Sequence, residues 1–167
     1  MKNLILVRHA KSSWDNAGLS DMERPLNKRG KHDAPMMGRI LAGKGEKPDL
    51  IISSPAKRAL STAKRISNEL GYERSSIKIN NSLYMADNDD FLRVIGEVKD
   101  EVSCLMIFSH NYGITDFANS ITGESISNIP TCGIVKAELE MDSWSDIINT
   151  KGKMIYFEYP KKYTDGI

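Results

Sequence analysis

Apolar residues in this chain gather in short runs, and three of those runs stop abruptly at residues able to do chemistry. Leu4-Ile5-Leu6-Val7 leads into Arg8-His9, Leu50-Ile51-Ile52 into Ser53-Ser54, and the stretch from Cys104 to Phe108 into Ser109-His110. Unbroken runs this short predict strands buried on both faces, as in a parallel sheet. A helical periodicity follows each. After Ser54, Pro55 suits a first helical position, Ala56, Ala59, Leu60, Ala63 and Ile66 mark one face, and Gly71 ends the segment. Ile114, Phe117, Ala118 and Ile121 repeat at helical spacing until Gly123. A third helix, around Ala34, Met37, Ile40 and Leu41, comes after a polar loop through about Leu26; its Pro35 is expected in the first turn or at a kink. A fourth is predicted from Asp90 to about Lys99 with Phe91, Leu92, Ile95 and Val98 inward. The tail alternates from Ile134 to Leu139, turns between Ser143 and Gly152, and resumes from Met154 to Tyr159, which predicts a late hairpin.

Strands alternating with helices imply a sheet covered on both faces, and such sheets bind ligands just beyond the carboxyl ends of their strands. Arg8, His9, Ser53, Ser54, Arg58 and His110 all fall at that edge. No repeat, linker or shift in composition divides the 167 residues, so residues 1–167 are expected to form one domain.

Charge changes this picture in one respect. With 23 Lys+Arg against 22 Asp+Glu, the chain lacks the basic excess that nonspecific binding to nucleic acid or to an anionic membrane requires, so any attraction for phosphate must be local. The run from Cys104 to Phe108 is far shorter than the roughly 20 residues of a membrane helix. Leu4 to Val7 is too short for a secretory core of about 7 residues or more, so the mature protein is expected to start near Met1. Cys104 and Cys132 form no C-x-x-C pair and have no further cysteine or nearby histidine to complete a zinc site; they are expected to be reduced, buried and cytosolic, which makes the expected location cytoplasmic.

The polar residues at the sheet edge suit phosphoryl chemistry. Arg8 and Arg58 bring two guanidinium forks whose geometry matches phosphate oxygens, and the start of a helix capped by Ser54 would add unpaired backbone N–H groups. Cations around His9 should hold its imidazole neutral, and a neutral imidazole is a nucleophile that can accept a phosphoryl group and surrender it to water. The arginines and His110 would stabilise charge on the equatorial oxygens, with no metal and no cofactor required.

The residues at this point resemble a known family. Leu6-Val7-Arg8-His9-Ala10 resembles the R-H-G signature of the histidine phosphatase superfamily, which includes phosphoglycerate mutases. Arg8 to Asp15, Asp21 to Gly30, Ser53 to Ala59, Ser109 to Gly113 and Asn128 to Gly133 resemble, in order, the SixA-type phosphohistidine phosphatases. The resemblance implies a three-layer α/β/α sandwich, phosphoglycerate mutase-like, on a mostly parallel sheet of about six strands. It also implies phosphorylation of His9, phosphoryl binding by Arg8, Arg58 and His110, and substrate contacts from Ser12 and Asn111. Ala10 stands where the family has glycine, so its φ should be negative. Tyr112 replaces a common proline.

Met85 marks a third departure. In Leu83-Tyr84-Met85 it stands where superfamily enzymes acting on alcohol esters carry a glutamate acid. An alkoxide leaving group needs that proton, whereas imidazole leaves near its own pKa of about 6.5. Asp15, Asp21 and Asp87 are substitute acids to consider, with Asp21 better suited to pairing with Arg24. The expected substrate is therefore a phosphorylated protein, for example a histidine-containing phosphotransfer domain, reached through a site with no lid. A small-molecule phosphomonoesterase and a non-catalytic phosphate-binding module are the alternatives.

Other features have plainer readings. His32 is expected to be solvated, Trp14 to pack against the fold in preference to forming a rim, and Ser12 and Ser13 to have loop-backbone bonds as their alternative role. Gly38 to Gly45 approximates a P-loop but closes a helix where it should open one. At the position where a thiol phosphatase needs arginine, Cys104 is followed by His110 and Cys132 by Glu138.

Overall fold

Leu4, Ile5, Leu6 and Val7 are all fully buried, and they form the middle of β1 (Lys2–Arg8). Successive side chains of a strand point to opposite faces, so Leu4 and Leu6 join one apolar cluster and Ile5 and Val7 another. Each such burial contributes about 1.5–3 kcal/mol. The computed structural model describes residues 1–164. It continues with α1 (Lys28–Gly43), β2 (Leu50–Ser53), α2 (Lys57–Leu70), β3 (Lys78–Ile79), α3 (Asn88–Gly96), β4 (Cys104–Ser109), α4 (Gly113–Thr122), β5 (Ile134–Leu139), β6 (Gly152–Glu158) and α5 (Lys161–Thr164).

The sheet order is β3-β2-β4-β1-β5-β6. Four strands run parallel, while β5 and β6 complete the sheet antiparallel. Ala34, Met37 and Leu41 of α1 pack with Ala63 and Ile66 of α2 over Ile5, Val7, Met106 and Phe108. Phe91 and Ile95 of α3 pack with Ile114 and Phe117 of α4 over Leu4, Leu6, Leu105 and Ile107. This is the expected three-layer α/β/α sandwich. No helix among the described residues is long and apolar enough to cross a membrane.

Several local expectations change. Pro35 lies well inside α1 because that helix starts at Lys28, where the Asn27 side chain caps it by accepting from Gly30 N. α2 starts at Lys57, with Ala56 as N-cap, so Pro55 lies outside it. Ser54 does not cap it; its hydroxyl accepts from Ala56 N at 3.2 Å and lies 2.7 Å from His110 Nε2. α3 ends at Gly96, short of the expected Lys99; within it Val94 is buried with Phe91 and Ile95 and Leu92 is half-buried, while Val98 lies beyond its end and is half-buried. The expected turn before β6 contains a 3-10 helix, Trp144–Asn149, whose Trp144 is fully buried. Cys132 is buried as expected, but Cys104, at the start of β4, is only half-buried. Gly71 and Gly123 end α2 and α4 with positive φ, a conformation open to glycine without a Cβ penalty.

Candidate active site

Strand register assembles the site. β1 and β4 are parallel neighbours with Arg8 opposite Ser109, and His9 N donates to Ser109 O at 3.2 Å. His9 and His110 thus leave adjacent strands at one level, their ring centroids 5.1 Å apart. Beyond β1 the chain crosses to one face of the sheet, and beyond β4 to the other, which opens a crevice between the two strand ends. A cavity of about 310 Å³ occupies it, and all six residues expected at the site, Arg8, His9, Ser12, Arg58, His110 and Asn111, line it. The cavity is large enough for a phosphoryl group.

The His9 ring is held in one tautomer. Nδ1 lies 2.8 Å from the Ala10 carbonyl; a carbonyl can only accept, so Nδ1 carries the hydrogen and Nε2 keeps its lone pair. Burial is the main cause that lowers the His9 pKa to about 3, opposed by the bond to Ala10 and assisted by His110, Arg58 and Arg8. Neighbouring cations, the cause expected from the sequence, act in the same direction but are outweighed by desolvation. Burial also lowers His110 to about 4, with Arg58 and Arg8 assisting and Asp21 opposing. Both imidazoles are therefore neutral near pH 7.

Arg8 donates from Nη1 to Ile129 O at 2.9 Å, while its Nε is buried without a partner, as is His110 Nδ1. Unpaired buried polar atoms are costly, and these two belong to residues lining one cavity with a cationic wall. An incoming anion would satisfy them. Burial lowers the Arg8 pKa as well, with Tyr112 opposing.

Asp21 organises the remaining wall. Its carboxylate accepts from Arg24 Nη1 at 3.0 Å, from Arg58 Nη2 at 2.9 Å and from the Tyr84 hydroxyl, and its backbone carbonyl accepts from Arg58 Nη1 at 2.6 Å. The Tyr84 bond, followed by Arg58 and Arg24, holds the Asp21 pKa well below the usual carboxylate range. That removes Asp21 as a proton donor. Asp87 caps α3 by accepting from Asp90 N, and exposed Asp15 lies outside the cavity lining. No carboxylate lines the cavity among the described residues.

Other wall residues find partners. Arg24, foreseen only as a partner of Asp21, lines the cavity itself and donates from Nη2 to Ser12 Oγ and from Nε to Ser13 O. The Ser12 hydrogen is left available to an anion, whereas Ser13 Oγ accepts from the loop backbone at Asp15 N. Asn111 donates to Asn128 Oδ1 and accepts from Thr115 Oγ1. His32 is exposed beside Asp33. Trp14 does not pack into the fold. It stands at the rim, 73% exposed, with the Arg24 guanidinium 3.3 Å from its ring centre. The D-x-x-R spacing of Asp21 and Arg24 was the available sequence signal for this wall; Ser54 was expected at the edge only as a helix cap, and nothing local pointed to Tyr84.

Ala10 has no positive φ, as expected for its replacement of glycine; among the described residues, Met85, at φ 56, and Cys132, at φ 59, are the non-glycine residues that do.

A profile of the histidine phosphatase superfamily (branch 1) matches residues 4–84. An uncharacterised chloroplastic protein of Arabidopsis thaliana is 31% identical over 159 residues, which span 90% of this chain and 72% of that protein. Among solved structures, a candidate SixA phosphohistidine phosphatase from Agrobacterium tumefaciens is 27% identical and superposes with a TM-score of 0.80, covering 95% of this chain and 98% of that one. The protein histidine phosphatase SixA complexed with tungstate superposes with a TM-score of 0.82 at 21% identity, covering 96% of this chain and 98% of that one.

Proposed function

The chain belongs to the histidine phosphatase superfamily and is a phosphatase-class hydrolase; on that premise we propose that it removes phosphoryl groups from protein phosphohistidine through a covalent intermediate on His9. One observation carries the choice of substrate. Among the described residues, the cavity that gathers His9, Arg8, Arg58 and His110 has no carboxylic acid in its lining. An alkoxide, whose conjugate acid is nearly as weak as water at a pKa of ~15.7, departs slowly without a proton donor. An imidazole protonated on its other nitrogen departs as a neutral molecule.

In the first step the Nε2 lone pair of His9 attacks phosphorus. The new P–N bond forms as the substrate's P–N bond breaks, and the released pair stays on the departing imidazole. Arg8, Arg58 and His110 surround the three equatorial oxygens, where charge is spread during transfer. The His9 ring is then phosphorylated on Nε2 while Nδ1 still donates to Ala10. In the second step water attacks phosphorus, the P–Nε2 bond breaks, and dihydrogen phosphate leaves with both water protons, restoring neutral His9. Exchange between two imidazoles makes the first step nearly balanced, and each displacement has a good leaving group.

The test presents a labelled phosphohistidine protein and labelled sugar phosphates, quenches without acid because phosphoimidazoles are acid-labile, and maps the label. Label on His9 from the phosphoprotein, with little turnover of sugar phosphates, is the expected result. Faster turnover of sugar phosphates would overturn the argument from the missing acid. Binding of phosphate with no label from either source would make the chain a phosphate-binding module.

A further inference from the structure

Among the described residues, the three most exposed large hydrophobic side chains are Trp14 at 73%, Met85 at 71% and Tyr112 at 70%. Two of them line the His9 cavity and the third adjoins its wall. Trp14 and Met85 line it, Tyr112 directly follows Asn111 in its wall, and Tyr112 is near enough to Arg8 to affect that guanidinium electrostatically. Single exposed apolar residues need no explanation, but a group of them around one opening marks a surface that meets a partner.

Two features show that this rim is built. Arg24 supports Trp14 from below and is itself fixed by Ser12, Ser13 and Asp21, so the indole is already ordered and gives up little freedom on binding. Met85 is held in the left-handed region at φ 56, which is unfavourable for a residue with a Cβ. Its side chain remains in solvent, so burial does not compensate within this fold, and strain kept in that way points to function. A flexible thioether adapts to irregular apolar surfaces. Among the described residues the cavity lining presents Arg8, Lys11, Arg24 and Arg58 and no carboxylate, and the single carboxylate of Asp21 pairs with two of these four cations, which leaves a net positive mouth suited to an anionic surface.

We propose that Trp14, Met85 and Tyr112 form a docking rim for a folded protein whose phosphorylated side chain projects from an apolar surface flanked by carboxylates. The proposal rests on the phosphohistidine phosphatase reading and names the surface that selects a protein over a small phosphorylated molecule. Trp and Tyr dominate binding energy where they are central and held rigid.

The experiment compares free phosphohistidine with a phosphorylated histidine-containing phosphotransfer domain, for the native chain and for Trp14→Ala and Tyr112→Ala, with thermal unfolding confirming that both variants fold. The native chain should prefer the domain, and each variant should lose roughly tenfold in kcat/KM on the domain, through KM, with a much smaller loss on free phosphohistidine. Added salt should raise KM for the domain. Equal losses on both substrates, or no loss on either, would overturn the docking rim, as would a native chain that shows no preference for the domain. Self-association abolished by Trp14→Ala would assign the rim to a second copy and overturn it as well. Insensitivity to salt would overturn the acidic character of the partner. If the native chain turns over neither substrate, it is the underlying phosphatase reading that fails.

Discussion

Lowering the pH from 7 to 5 should unfold this protein more readily, and the two site histidines set the size of the effect. An unfolded histidine titrates near 6.5, whereas His9 and His110 titrate in the folded chain at about 3 and about 4. Between those values the unfolded chain binds more protons, so stability is complete above pH 6.5 and falls as pH drops towards 4. Each pH unit in that window costs about 1.4 kcal/mol per histidine. From pH 7 to 5 the loss is about 2 kcal/mol for each, and about 4 kcal/mol together. Asp21, whose pKa is depressed, contributes stability that is lost only below the ordinary carboxylate range, so it does not act in this interval. Urea unfolding in phosphate-free buffer at the two pH values measures the difference through the midpoint and slope. His110→Asn should show about half the native loss, and the double variant with His9→Asn almost none. A native stability that is flat within about 1 kcal/mol across this interval would refute burial of two neutral imidazoles. An undiminished loss in the double variant would refute their assignment as its source.

Four further outcomes are expected. His9→Asn should reduce turnover at least ~10³-fold and abolish the labelled intermediate while inorganic phosphate still binds, as followed by calorimetry. Asp21→Asn should raise KM roughly tenfold with a smaller effect on kcat, because Arg58 and Arg24 lose the carboxylate that orients them; Asp21→Glu should recover part of the loss. At Gly113→Ala the new Cβ would lie 2.0 Å from Ala86 O, so thermal unfolding should show a loss of ~3 kcal/mol or more, while Gly43→Ala, with nothing within 4 Å, should be neutral or gain up to ~1 kcal/mol. EDTA should leave turnover unchanged, and a clear loss would reject the metal-free scheme.

The strands that carry the site were readable because they are short apolar runs ending in polar residues. β1, β2 and β4 begin or end close to the residues that the runs suggest, and Ile114 to Ile121 forms the expected buried face of α4. Helix starts were less readable. Pro55 and Ser54 make a plausible helix opening in local terms, but Ser54 is recruited by His110, 56 positions away. Likewise, the interior position of Pro35 depends on a helix that begins at the Asn27 cap, before apolar periodicity becomes visible. Trp14 looked like a core residue on side-chain type alone; the cationic platform beneath it belongs to Arg24, on the other side of the polar loop.

What the amino-acid order determined alone was therefore the layered α/β/α architecture and the placement of Arg8, His9, Arg58 and His110 at one sheet edge, because hydrophobic periodicity and motif spacing are local properties of the chain. Only the tertiary structure decided which groups support them. Asp21 meets Arg58 and Tyr84 across 37 and 63 positions, and the low pKa values of the two imidazoles come chiefly from burial. Long-range pairing depends on strand order and loop paths, and desolvation depends on everything packed around a group, so neither is written in any single stretch of sequence.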